Sequence, residues 1–104
     1  MDHPAAVTYV GDADFHDGHV VKWSRGESDA IVIVRGASGR TFEVRFHGVD
    51  EIVAKNAEMM MIYALTQTPQ PDGKCRFAFP PWDESSSSRL EIAASAFTVG
   101  KIPE

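Results

Sequence analysis

The stretch "TFEVRFH", Thr41 to His47, alternates without a break: Phe42, Val44 and Phe46 fall on one side, Glu43, Arg45 and His47 on the other. Successive strand residues point to opposite faces, so this period of two predicts a half-buried β-strand. A helix would scatter the three apolar side chains around its circumference. Just before it, "DAIVIVR" is β-branched at Ile31, Val32, Ile33 and Val34, the composition of a strand covered on both faces. "GASG", Gly36 to Gly39, lies between the two runs and permits a tight reversal, which makes them a hairpin. Upstream, "HVVKWSR" alternates less cleanly, with Val21 and Trp23 on one side and Val20, Lys22 and Ser24 on the other. The short connections predict a three-strand meander.

The second half mixes signals. "VDEIVAKN" suits a short strand, and "AEMMMIYALTQ" holds strong helix formers within a broad apolar band. One short helix near 55–65 is therefore an alternative. Pro69, Pro71 and the turn "PDG" favour instead a strand from Met60 to Thr66, onto which "KCRFAF" pairs back through Cys75, Phe77 and Phe79. "PPWDESSSS" reads as a surface loop over 80–88, and residues 1–14 as a loosely ordered N-terminal segment. In "RLEIAASAFTV", Leu90 and Ile92 share one parity while Phe97 and Val99 take the other. A bulge or a crossing between sheets at Ala94 to Ala96 would reconcile them. The expected fold is all-β or β-rich: an antiparallel meander of about six to seven strands, closed into a barrel or folded into a sandwich.

A chain of 104 residues supports one core, so 1–104 is read as a single domain. Its net charge of −5, with ten scattered Lys and Arg residues, opposes nucleic-acid binding and favours a basic protein surface as partner. The single Cys75 cannot form an intramolecular disulfide and reads as a small buried hydrophobe. No signal-peptide pattern and no run of roughly 18 apolar residues is present, so no membrane association is expected and the cytoplasm is the default location.

The densest chemistry is the segment from Asp12 to His19, where Asp12, Asp14, His16, Asp17 and His19 cluster. A calcium loop is excluded, because Asp17 stands where glycine is required and Trp23 where a bidentate glutamate is required. His16, Asp17 and His19 are the candidate metal ligands, although a separation of three sends His16 and His19 to opposite faces of a strand unless Gly18 turns the chain. The bland reading makes Phe15, His16, Asp17 and Gly18 a structural motif that starts the first strand, with Asp17 accepting backbone N–H bonds in the turn. "GASGRT" mimics a phosphate loop but lacks the lysine and the span of one. His47 reads as a solvent-facing strand residue and His3 as part of the frayed terminus. No catalytic nucleophile with a paired base is visible, and no cofactor is expected.

The pattern "FHDGHVVKW", then "AIVIVRG", "RTFEVRFHGVDEI" and "RLEIAASAFTV", resembles a group of small bacterial domains in which a Phe-His-Asp-small motif opens the first strand. Some of that group are immunity proteins that neutralise toxins. The resemblance implies a β-rich domain and no activity. Two function classes follow as expectations. The favoured one is a non-enzymatic protein-binding or immunity-like module. The alternative is a metal-dependent enzyme or ligand-binding domain built on His16, Asp17 and His19, with His47 supplied by a neighbouring strand. Apolar strand edges near Met60, Ile62 or Phe97 would also favour a homodimer.

Overall fold

The computed structural model of the chain describes residues 7–83 and 86–102. Among these residues the chain forms nine strands: β1 (Thr8–Val10), β2 (His19–Arg25), β3 (Asp29–Arg35), β4 (Thr41–His47), β5 (Glu51–Lys55), β6 (Leu65–Pro69), β7 (Cys75–Ala78), β8 (Arg89–Ala94) and β9 (Ala96–Ile102). A single 3-10 turn, Ala13–Phe15, stands between β1 and β2. The strands make two antiparallel sheets, ordered β1-β6-β7-β8-β5 and β2-β3-β4-β9. Of the two expected closures this is a sandwich, with more strands than the sequence pattern suggested and two meanders in place of one.

The four-stranded sheet follows from the alternation. Val34 lies opposite Phe42, Val32 opposite Val44 and Ala30 opposite Phe46, and all six are buried. Ile31 and Ile33 are half-buried on the other face, so β3 is covered fully on one side only. In β2 the register slips between Val20 and Lys22. This bulge changes the parity of the strand, so Val20 is buried and Trp23 also packs on the core, instead of opposing each other as strict alternation requires.

Between the sheets Phe46 and Phe77 sit with ring centroids 5.1 Å apart, and Phe97 lies 5.1 Å from Phe77. Phe15 meets Phe42 edge-on at 5.2 Å. Such aromatic pairs add to the burial of their area, the main stabilising contribution here. The parity switch in "RLEIAASAFTV" is a crossing: β8 belongs to the five-stranded sheet and β9 to the four-stranded one, with Ser95 alone between them. Ser95 donates its N–H to the His47 carbonyl oxygen (2.9 Å), which ties this crossing to the one between β4 and β5. Gly48 occupies that second crossing at φ 65°, and a Cβ there would meet the Ser95 hydroxyl at 2.6 Å.

The segment 57–64 is neither a helix nor the start of a strand running from Met60 to Thr66; β6 begins only at Leu65. Asn56 and Met59 have left-handed backbone (φ 47° and 66°), which stops a helix before its first turn closes. From Met59 to Tyr63 the alternation persists nonetheless. Ala57, Met60 and Ile62 are buried, whereas Met59, Met61 and Tyr63 are exposed. The segment lacks a continuous partner because it spans both sheets. Val20 donates to the Met60 carbonyl and Ile62 to the Gly18 carbonyl, while Tyr63 donates to the carbonyl of Pro80. Burial of Met60 and Ile62 removes two of the three residues expected to make a strand edge self-adhesive, and Phe97 is half-buried against Phe77. No helix among the described residues is long and apolar enough to cross a membrane.

Candidate functional site

The 3-10 turn and its flanks form a clamp. Asp12 Oδ1 accepts the Asp14 N–H (2.9 Å), and the Asp12 carbonyl accepts the Phe15 N–H (3.0 Å). Asp14 in turn grips the β3–β4 hairpin: its carboxylate accepts the Ser38 N–H (3.0 Å) and the Ser38 hydroxyl (2.6 Å), and its carbonyl accepts the Ala37 N–H. The phosphate-loop mimic is therefore a hairpin turn whose amides are satisfied within the chain, that of Ser38 by the Asp14 carboxylate and that of Ala37 by the Asp14 carbonyl. Gly36 is required by this contact, since a Cβ at that position would collide with the Asp14 side chain.

Asp17 adopts φ 69°, which short polar residues tolerate, and turns the chain so that the Gly18 N–H reaches the Phe15 carbonyl (2.9 Å). The side-chain capping expected of Asp17 is carried by Asp12 and Asp14. His16 Nδ1 donates to the Tyr63 carbonyl oxygen at 3.2 Å, a bond that places the proton on Nδ1 and orients the ring. His19 belongs to β2, opposite Arg35 and bridged to Met61. His47 stands opposite Asp29 on the four-stranded sheet, 3.7 Å from its carboxylate and 3.4 Å from the Thr98 hydroxyl. His16, Asp17, His19 and His47 thus take different partners. Among the described residues no three His, Cys, Asp or Glu side chains gather as metal ligands. His3 lies outside the described residues. Cys75 is half-buried, and its sulfur accepts a bond from Gln67 Nε2 (3.2 Å).

What His16 does join is an aromatic cluster. Its ring lies 4.9 Å from Tyr63 and 5.1 Å from Trp82; Tyr63 lies 5.2 Å from Trp82 and 6.2 Å from Tyr9. Tyr9 is 67% exposed, Trp82 43% and Tyr63 39%. Two clefts flank the rings. One, of about 420 Å³, has Val10, Phe15 and Leu65 as its apolar lining, Tyr9, Tyr63 and His16 as walls and Asp12 as its only charged side chain. The other, of about 660 Å³, is lined by Tyr9, Tyr63, Pro80, Pro81 and Trp82. Volumes of this order suit the side chains of a partner or a small ligand.

Sequence reasoning singled out His16 and missed Tyr9, Tyr63 and Trp82. A signal was present: in the run 59–63 both parities are apolar, so one face had to remain outside the core. "PPW" at 80–82 has the composition of a surface loop, yet the Trp82 N–H bonds the Met61 carbonyl and Pro81 bridges Ile62.

The far side of the same sheet is ionic. Arg76 reaches Glu51 (2.8 Å) and Glu91 (3.1 Å), Arg89 bonds Glu91 (2.6 Å), and Lys74 pairs with Asp50 (2.7 Å). The Arg89 hydrogen bond, aided by Arg76, holds the Glu91 carboxyl below the usual carboxylate range against the opposing effect of partial burial. Comparison with protein-family models, with curated proteins and with solved structures finds no match to this chain.

Proposed function

We propose that the protein is a non-enzymatic binding module that recognises another protein through the corner formed by Tyr9, Tyr63 and Trp82. One observation carries this reading. Every exposed large apolar side chain among the described residues belongs to three stretches joined there: Val7 and Tyr9 at β1, Met59, Met61 and Tyr63 before β6, and Trp82 after β7. An isolated exposed apolar residue needs no explanation, but Tyr9, Tyr63 and Trp82 touch one another, with Met61 bonded to the Trp82 backbone, and exposed apolar groups gathered in this way mark a contact surface. Tyr, Trp and Met are also the residue types that concentrate binding energy in protein interfaces. The net charge of −5 favours a basic partner, and an inhibitory, immunity-like role is one form such recognition takes.

Selection of random displayed peptides on the folded protein tests the proposal. Enriched peptides should bind the wild type and lose at least about tenfold in affinity on Trp82→Ala or Tyr63→Ala, with the melting temperature little changed. Peptides that bind both variants as well as the wild type would place recognition elsewhere. Light scattering over a wide dilution range identifies the case in which the partner is a second copy of the chain.

A further inference from the structure

We propose that the cleft between Tyr9 and His16 is an acceptor slot for an arginine side chain of the partner, an inference that rests on the protein-binding reading above. Three observations combine. The floor is firmly placed and the accessible lining is apolar: Phe15 and Leu65 are 1% and 0% exposed beneath it, and Val10, Ala13 and Ala64 supply the apolar surface that a side chain can reach. The walls are the rings of Tyr9, Tyr63 and His16. Asp12 supplies the only carboxylate, which accepts one bond, from the Asp14 N–H to Oδ1, and makes no ion pair among the described residues. Lys101 lines an adjoining groove that also includes Asp12, and makes no ion pair with it.

An arginine matches each part. Its methylene stem covers apolar surface, its planar guanidinium stacks on aromatic rings, and its fork of N–H donors can take the carboxylate oxygens. Lysine matches less well, because a compact, strongly hydrated ammonium neither stacks nor forks. An acidic side chain meets Asp12 and the negative net charge. A purely apolar side chain would fill the lining but desolvate the carboxylate with only the Asp14 N–H to satisfy it.

The test is a titration with N-acetyl-arginine amide, followed by backbone amide NMR and the Trp82 indole resonance. N-acetyl-norleucine amide and N-acetyl-glutamate amide serve as controls. Saturable shifts around Asp12, Ala13 and His16 are expected with the arginine probe only. Asp12→Asn should weaken that binding about tenfold, as expected for loss of a charge-assisted fork. Asparagine caps a helical turn as well as aspartate does, so the Asp14 N–H keeps its acceptor and the variant stays folded. Absence of saturable shifts overturns the slot, as does equal affinity in Asp12→Asn or an equal response to norleucine amide. Selected peptides that need Trp82 but contain no arginine would also sink the slot, and would leave the protein-binding reading standing. Arginine-amide binding without any peptide binder would do the reverse.

Discussion

At the β5–β8 side of the five-stranded sheet the surface consists of charges already matched to one another, with Arg76 between Glu51 and Glu91 and Arg89 on the second oxygen of Glu91. At the β1 side it consists of rings that touch one another yet stay exposed. Pairing places Tyr9, Thr66, Ala78 and Glu91 in one row across β1, β6, β7 and β8, so a single sheet face runs from one kind of surface to the other. Exposed ion pairs contribute little to stability, but they leave nothing for another protein to satisfy. Exposed rings contribute little either, and they retain apolar area that a partner can remove from water. The difference separates a surface completed within the chain from one that is completed by association.

The largest effect is expected in the core beneath both surfaces. Phe77 is 1% exposed and touches both Phe46 and Phe97, so Phe77→Ala should cost about 3–5 kcal/mol. For a domain of this size that lowers the melting temperature by on the order of 15 °C or more. Followed in a Trp23→Phe background, far-UV circular dichroism and Trp82 fluorescence should fall together. If Trp82 melted separately, the corner would be an independently ordered appendage and not one end of the sheet.

A smaller effect is expected at the clamp that presents the corner. Asp14→Ala removes the carboxylate bonds to Ser38 and should cost about 1–2 kcal/mol in urea unfolding. Asp17→Asn keeps the left-handed turn and removes no side-chain bond, so its stability should change by less than about 0.5 kcal/mol. Equal losses in the two variants would mean that the clamp is misassigned.

Acid should sharpen the contrast between the two ends. The Glu91 carboxyl is depressed in the folded state, so its contribution is present above the unfolded glutamate range and is lost as pH falls through the lower folded value. Because the pairs are partly exposed, the loss should stay below about 1 kcal/mol. Glu91→Gln should flatten that part of the stability curve measured by urea midpoints at successive pH values. An unchanged curve would show that the Glu91 carboxylate does not contribute to stability. The smallest effect belongs to Tyr9→Ser: stability within about 0.5 kcal/mol of wild type, with binding of selected peptides reduced. A large loss of stability would show that Tyr9 serves the fold and not a partner.

β4 was legible because it keeps period two over all seven residues, and the parity switch around Ser95 announced the crossing for the same reason, whereas the bulge in β2 hid the face that Trp23 takes. The corner was not legible. Met59, Met61 and Tyr63 are apolar like their buried neighbours, and only the left-handed Met59 and the bridging role of the segment decide which parity faces out. Ionisable groups drew attention to Asp12–His19, yet Asp12 and Asp14 serve the clamp and His16 joins the aromatic cluster. The surface proposed for recognition is built from residues whose type alone reads as core.

The crossing at Ser95 also governs the order in which contacts can form. β4 lies between β3, its hairpin partner, and β9, and every strand of β5–β8 comes between β4 and β9 in the chain. β4 can take up its second neighbour only across that whole intervening length, so the closure entropy of a long loop opposes completion of the four-stranded sheet until the five-stranded sheet has begun to organise. Topologies dominated by such distant pairings fold on the millisecond-to-second scale. The β2–β4 meander is therefore exposed on its β9 side during folding, and Phe46, which β9 helps to cover, is the side chain that water leaves late.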